Sequence, residues 1–123
     1  MSRAPIDPTA FLPLKPTAYL LLVALVGGDC HAYALKQEVA RRTGDRVRLG
    51  PGTLHRSLAR LHAAGLIEES PDRPKPADDD ERRRYYRLTP LGHKVALAET
   101  DRLADLVAAV RGVRWVRRGR AAL

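Results

Sequence analysis

Cysteine is almost absent from this chain. Cys30 stands alone among 123 residues, which excludes an intramolecular disulfide and fits a reducing compartment. Aromatic residues are scarce as well, at 5% of the chain, so the core has to be assembled mainly from Leu, Val and Ala, a mixture that favours helices. Long apolar runs are missing: the longest, Tyr19 to Val26, falls far short of the roughly 20 residues that span a bilayer. The opening stretch MSRAPIDPTAFLP has no apolar region of the signal-peptide kind and is broken by prolines, so a cytoplasmic location is expected. His31, His55, His62 and His93 lack thiol or carboxylate neighbours at metal-ligand intervals, and neither a phosphate loop nor a dinucleotide fingerprint occurs. Cys30 beside His31 is the one pairing with nucleophile chemistry in it, but adjacent residues on a helix point in different directions. Neither enzyme activity nor a cofactor is expected.

What is present in excess is positive charge. The formal net charge is +8, which points to a polyanionic partner. Much of it is terminal: residues 1–110 hold 17 basic and 14 acidic groups, and the last five cations are Arg111, Arg114, Arg117, Arg118 and Arg120. A second basic region, His31 to Leu66, has seven Lys or Arg against two acids. Inside it lies LGPGTLHRSLARLHAAGLIE, in which no acid occurs between Leu49 and Ile67. Pro51 presets the first helical φ and Gly65 supplies a stop, so the spacing predicts a helix from about Pro51 to Ala64. At about 100° per residue, Leu54, Leu58 and Leu61 share one stripe. Gly52, Arg56, Ala59, Arg60 and Ala63 lie opposite, with Thr53 and His55 on the flanks. A face of small residues and arginines fits a DNA major groove about 12 Å wide, whereas a solvated helix more often carries Glu and Lys there. The bland reading is a surface helix of any small α-domain.

Around this helix the rest falls into order. Residues 1–13 contain three prolines without periodicity and are expected to form a flexible N-terminal arm, or an extension across a partner subunit. PTAYLLLVALV, Pro16 to Val26, is apolar nearly all round and reads as a helix buried at the centre. A second helix is expected from about Cys30 to Thr43, with Asp29 as N-cap and Gly44 near its C-terminus. Val47 and Leu49 alternate with Arg46 and Arg48, a pattern for a brief strand. Leu66 to Glu69 and Arg82 to Leu88 read as the strands of a hairpin whose tip, SPDRPKPADDDE, holds three prolines and five acids. Thr89 followed by Pro90 opens a long helix expected to reach about Arg114. Its apolar arc, including Leu103, Leu106, Val107 and Val110, is too wide for one neighbour and implies a homodimer. Trp115 projects away from that arc, where it contacts the partner, lines a cavity between subunits or sits in a frayed end; packing is favoured over a ligand role, since aromatic residues near apolar helices are mostly structural.

The fold expected is mainly α with a small β-hairpin: a winged helix-turn-helix over residues 14–88, followed by a C-terminal dimerisation helix and basic tail over 89–123. Three ordered segments, LKPTAYLLLVALVGGDCHAYALKQEVARRTG, LGPGTLHRSLARLHAAGLIE and RRRYYRLTPLGH, covering about residues 14–93, resemble the PadR family of bacterial transcriptional regulators. The resemblance implies a winged helix-turn-helix, dimerisation through the last helix, and repression by binding an inverted repeat. With one helix after the wing the chain looks like the short subfamily. Some members of that subfamily release DNA when a small hydrophobic molecule enters between the subunits. The chain departs from the family pattern at His55, where Tyr is common, and at Ala32, where Gly is common. Leu103 holds the place of the tryptophan of multidrug-binding members, so Trp115 does not inherit a drug-stacking role.

Thr53, His55 and Arg56 are the expected base contacts, Arg60 a phosphate contact, and Arg82, Arg83 and Arg84 contacts from the wing to backbone or minor groove. The partners expected are a double-stranded DNA operator, a second copy of the chain and a small hydrophobic effector. The competing reading is a winged-helix module that binds a partner protein without specific DNA binding.

Overall fold

The computed structural model describes residues 6–70 and 84–116. Four α-helices and a three-stranded antiparallel sheet are arranged in the order α1 (Pro16–Val26), β1 (Cys30–His31), α2 (Ala32–Arg42), α3 (Pro51–Ala63), β2 (Ile67–Glu69), β3 (Tyr85–Leu88), α4 (Pro90–Val110). This is a mainly helical winged helix carrying one long terminal helix. Its centre is α1, which touches α2, α3, α4 and β3. Leu21 and Leu22 are wholly buried and Leu25 nearly so, each contributing about 1.5–3 kcal/mol of transfer free energy. Leu35 and Val39 of α2, Leu54, Leu58 and Leu61 of α3, and Val95 of α4 close the same core.

Glycine stops α2 and α3 by the same device. Gly44 (φ 58°) follows α2, with Asp45 N–H donating to the Ala40 carbonyl at 2.8 Å and Gly44 N–H to the Arg41 carbonyl at 3.3 Å. Gly65 (φ 78°) follows α3, with Leu66 N–H donating to the Leu61 carbonyl and Gly65 N–H to the His62 carbonyl, both at 3.0 Å. Both are Schellman closures, in which left-handed backbone lets two orphan carbonyls be paired.

Several elements differ from the sequence reading. Residues 30–31, expected in the first turn of α2, are instead β1, pairing Cys30 with Tyr86 and His31 with Tyr85. Extended backbone there delays the helix to Ala32, and its cap is His31, whose Nδ1 accepts the Ala34 N–H at 3.2 Å. Asp29 is not the cap; its carboxylate accepts the hydroxyl of Ser70 at the end of β2. The alternation at Val47 and Leu49 forms no strand, because β1 and β2 occupy both edges of β3 and Leu49 turns its side chain into the core. Of the expected N-terminal arm, residues 1–5 lie outside the described residues, and Pro8–Phe11 forms a 3-10 turn capped by Asp7 and packed on α4, with Phe11, Leu12 and Leu14 against the core. The last helix stops at Val110 rather than Arg114: Arg111 is extended and Gly112 has φ 87°. Trp115 therefore lies beyond α4, 71% exposed, and the helical phase that turned it away from the apolar arc does not apply. The acidic stretch 71–81, with Arg82 and Arg83, lies outside the described residues.

The entry to α4 is tightly built. Thr89 Oγ1 accepts the Gly92 N–H at 3.0 Å and donates to the Gly65 carbonyl at 2.6 Å. Gly92 lies so close to the preceding turn that a Cβ there would sit 1.9 Å from the Leu66 carbonyl oxygen. Farther along, Glu99 is the one buried charged side chain among the described residues, 1% exposed. It accepts the Leu14 N–H at 2.8 Å and is held bidentately by Arg102, Nε at 2.5 Å and the second guanidinium nitrogen at 3.1 Å. The Arg102 guanidinium, helped by the Leu14 amide, holds the Glu99 carboxyl below the usual glutamate range against the opposing effect of burial.

Two outcomes follow for stability. Gly92→Ala is expected to cost about 3 kcal/mol because backbone must move, against about 1–2 kcal/mol for Gly65→Ala, where the strain lies in φ alone; equal midpoints in urea denaturation contradict the close approach. For Glu99, the folded pKa lies below the unfolded value of about 4.3, so its contribution is complete above that pH and is lost as pH falls through the folded value. Glu99→Gln should flatten the acid limb of the stability curve below about pH 4. An unchanged acid limb in melts from neutral to low pH rules out that role.

Candidate nucleic-acid interface

The outward side of α3 carries Thr53, His55, Arg56 and Arg60, all exposed, while Leu54, Leu58 and Leu61 fix its inner side. Pro51 starts this helix and Gly50 precedes it without a side-chain cap. Gly52 lets the Arg56 guanidinium lie back over the first turn: a Cβ at Gly52 would stand 3.1 Å from a guanidinium nitrogen of Arg56, which also reaches Thr53 Oγ1 at 3.4 Å. The exposed face is thus small at its leading end and cationic just behind.

The two flanks of α3 differ. On one, His55, Ala59 and His62 face Glu69, Arg84 and Tyr86 of the sheet across a groove of about 370 Å³. On the other, Thr53, Arg56 and Arg60 share a groove of about 430 Å³ with Phe11, Leu14, Lys15 and Thr17. A third hollow of about 440 Å³, lined by Tyr33, Lys36, Gln37 and Arg48, lies where α2 meets the start of α3. Residue spacing alone gives no sign that Tyr33 and Lys36 of α2 stand beside the start of α3, because that proximity is created by the turn between the helices.

Ion pairing separates the cations into two sets. Arg41 and Arg42 share Glu38, Arg48 faces Asp45, Arg87 binds its cross-strand partner Glu68 at 2.9 Å, and Arg102 binds Glu99. Arg84, the one expected wing contact within the described residues, is not free: it reaches Glu69 at 3.4 Å. That pair is more than half exposed on both sides and is weakened by solvent screening, so a phosphate can compete for the guanidinium. Arg56 and Arg60 have no carboxylate partner among the described residues. Of the remaining expected contacts, Arg82 and Arg83 lie outside the described residues. No cluster able to hold a metal ion occurs among the described residues, and no helix there is long and apolar enough to cross a membrane.

Residues 21–98 match the model of the transcriptional regulator PadR-like family. The chain belongs to the PadR-like family. That family consists of DNA-binding transcriptional regulators rather than enzymes. Similar solved structures include a transcriptional regulator from Clostridium thermocellum, with TM-score 0.64 and 24% identity over 80% of this chain and 90% of that one. A PadR family regulator from Clostridium difficile gives TM-score 0.62 and 23% identity over 78% and 95%. Bordetella bronchiseptica BpsR, whose DNA binding is regulated by 6-hydroxynicotinic acid, gives TM-score 0.57 and 22% identity over 89% and 72%. At these identities the likeness establishes the shared fold. A curated relative, an uncharacterized 37.1 kDa protein in transposon TN4556 of Streptomyces fradiae, is 36% identical over 71% of this chain, which spans only 23% of that relative's length.

In this PadR-like chain the terminal helix has two unlike halves. Gly92, Val95, Ala96 and Glu99 are buried against the domain, and Leu103 is half-buried. From Ala104 every residue of α4 is exposed, including Leu106 and Val107 at 52% and Val110 at 46%. At 1.5 Å per residue this exposed half is roughly 10 Å long.

Proposed function

We propose that this PadR-like regulator is a repressor that binds an inverted-repeat operator as a homodimer. The observation that carries the reading is the outer face of α3, where Arg56 and Arg60 stand exposed, without carboxylate partners among the described residues, beside the short side chains of Gly52, Thr53 and Ala59. Such a face enters a major groove without steric conflict and has cations left over for the duplex. Thr53, His55 and Arg56, toward the N-terminal end of the helix, read base edges, and Arg60 takes a phosphate. Arg84, with Arg82 and Arg83, contacts the backbone from the wing. In this scheme residues 14–88 are the DNA-binding unit and 89–123 the dimerisation unit.

The second copy covers the free half of α4. Leu106, Val107 and Val110 leave water when that half pairs with its symmetry mate, and Leu103 continues the seam toward the domain. Paired terminal helices then set two α3 helices at successive major grooves, about 34 Å apart. A small hydrophobic effector bound between the subunits shifts that spacing and releases DNA. Regulation of DNA binding in BpsR by 6-hydroxynicotinic acid is in keeping with such an effector.

Arg56→Ala is expected to relax preference at one base position, costing about 1–3 kcal/mol on the selected sequence. Arg84→Ala should weaken all duplexes alike and lower the salt slope by about one. Anisotropy titrations on a selected and an unselected duplex separate the two effects; intact affinity and salt dependence in both variants, or stable capture of one protein partner with indifference to DNA, removes the reading. Leu106→Glu with Val110→Glu should yield a folded monomer in sedimentation equilibrium, and a wild-type chain that sediments as a monomer at all concentrations refutes the dimer.

A further inference from the structure

The flank of α3 away from the wing carries an unassigned cation. Lys15 precedes α1 in extended backbone, is exposed, and lines the same groove as Thr53, Arg56 and Arg60. Among the described residues no acidic one lines this groove. The wing flank is different, since Arg84 there is shared with Glu69. Lys15 itself has no carboxylate partner among the described residues.

Geometry says what such a cation meets. An α-helix with its side chains is about 10–12 Å across and the major groove about 12 Å wide, so a helix lying in the groove has a phosphate strand on each side. With the wing on one side of α3, the strand on the other side runs past residues 11–18.

We propose that Lys15, beside Arg60, holds a backbone phosphate of the duplex on the flank of α3 opposite the wing, and that Glu99 of α4 sets Lys15 in place by gripping the Leu14 amide. This rests on the DNA-reading role of α3 given above. Leu14 is the residue next to Lys15, and its N–H donates to Glu99 Oε2 at 2.8 Å, while Arg102 fixes the same carboxylate. The tie joins positions 85 residues apart and is part-buried, on a carboxylate that is itself buried, so the 11–15 segment is referenced to α4 rather than to α3. Glu99 is a positioning residue: it touches no DNA, and acts through where it puts Lys15. The helix proposed to pair subunits therefore also places a phosphate contact.

The experiment uses the full chain, one duplex selected from a random pool by the wild-type protein, and one unselected duplex, titrated over a range of salt. Lys15→Gln is expected to weaken both duplexes about five-fold per subunit at physiological salt and to cut the salt slope by about one per subunit, with Lys15→Arg restoring both. Glu99→Ala should reproduce the Lys15→Gln loss, and the double variant should lose no more than Lys15→Gln alone. Glu99→Gln, which keeps an acceptor for Leu14, should recover most of it. Unchanged affinity and slope in Lys15→Gln, while Arg56→Ala still relaxes sequence preference, overturns the Lys15 assignment and leaves the α3 reading standing. A Lys15→Gln loss confined to the selected duplex overturns a phosphate role, and additive losses in the double variant overturn the role of Glu99. A wild-type chain that binds neither duplex brings down the α3 reading and this inference together. Lys15 is exposed, so its variants test the contact even where Glu99→Ala fails to fold.

Discussion

The junction between the end of α3 and the start of α4 is the constraint on which the rest depends. Two residues of one helix entry, Thr89 and Gly92, grip two of the other's exit, Gly65 and Leu66. Thr89 Oγ1 bonds both the Gly65 carbonyl and the Gly92 amide, Thr89 N–H donates to the Leu66 carbonyl at 3.1 Å, and Gly92 presses on that same carbonyl. Side chain, cap and absent Cβ thus serve one purpose. The direction of the terminal helix is tied to that of the exposed α3 face, so motion of either is felt by the other. A hydrogen-bonded cap over a glycine contact adds a directional constraint to the close packing of the leucine core.

Around that junction, charge is sorted by partnership rather than by number. Carboxylates answer arginines on α2, across β2 and β3, and within α4. They are missing from α3 itself, which holds Arg56 and Arg60 with nothing acidic in the helix. Surface pairs contribute little to folding, so this sorting does little for stability and much for the potential outside α3. With its arginines unpaired, the α3 face keeps a positive potential of the kind that attracts a polyanion.

The N-terminal segment shows the same logic carried through backbone. Its 3-10 turn has few apolar residues of its own, yet Phe11, Leu12 and Leu14 pack on the core and the Leu14 amide is satisfied by a buried carboxylate. Burying Glu99 is costly unless its oxygens are bonded, and Arg102 with Leu14 meets that demand. One residue on α4 therefore holds a segment 85 positions away beside the outward face of α3.

Local rules were enough for much of this molecule. Pro16, Pro51 and Pro90 start helices, Gly44 and Gly65 end two of them, and the Leu54, Leu58, Leu61 stripe tells inside from outside on α3. Each of these acts within a turn or two of chain, which is why it can be read without coordinates. Pairing across the chain could not be read that way. Cys30 and His31 became a strand because β3 offered an edge, Asp29 went to Ser70 instead of capping α2, and the alternation at 47–49 found no strand to join. Glu99, one acid in an amphipathic helix, carries no mark in the sequence of its burial or its hold on Leu14. Periodicity and caps are properties of neighbours in sequence, whereas a strand edge or a buried carboxylate is defined by what the fold brings against it, and only the tertiary structure supplies that.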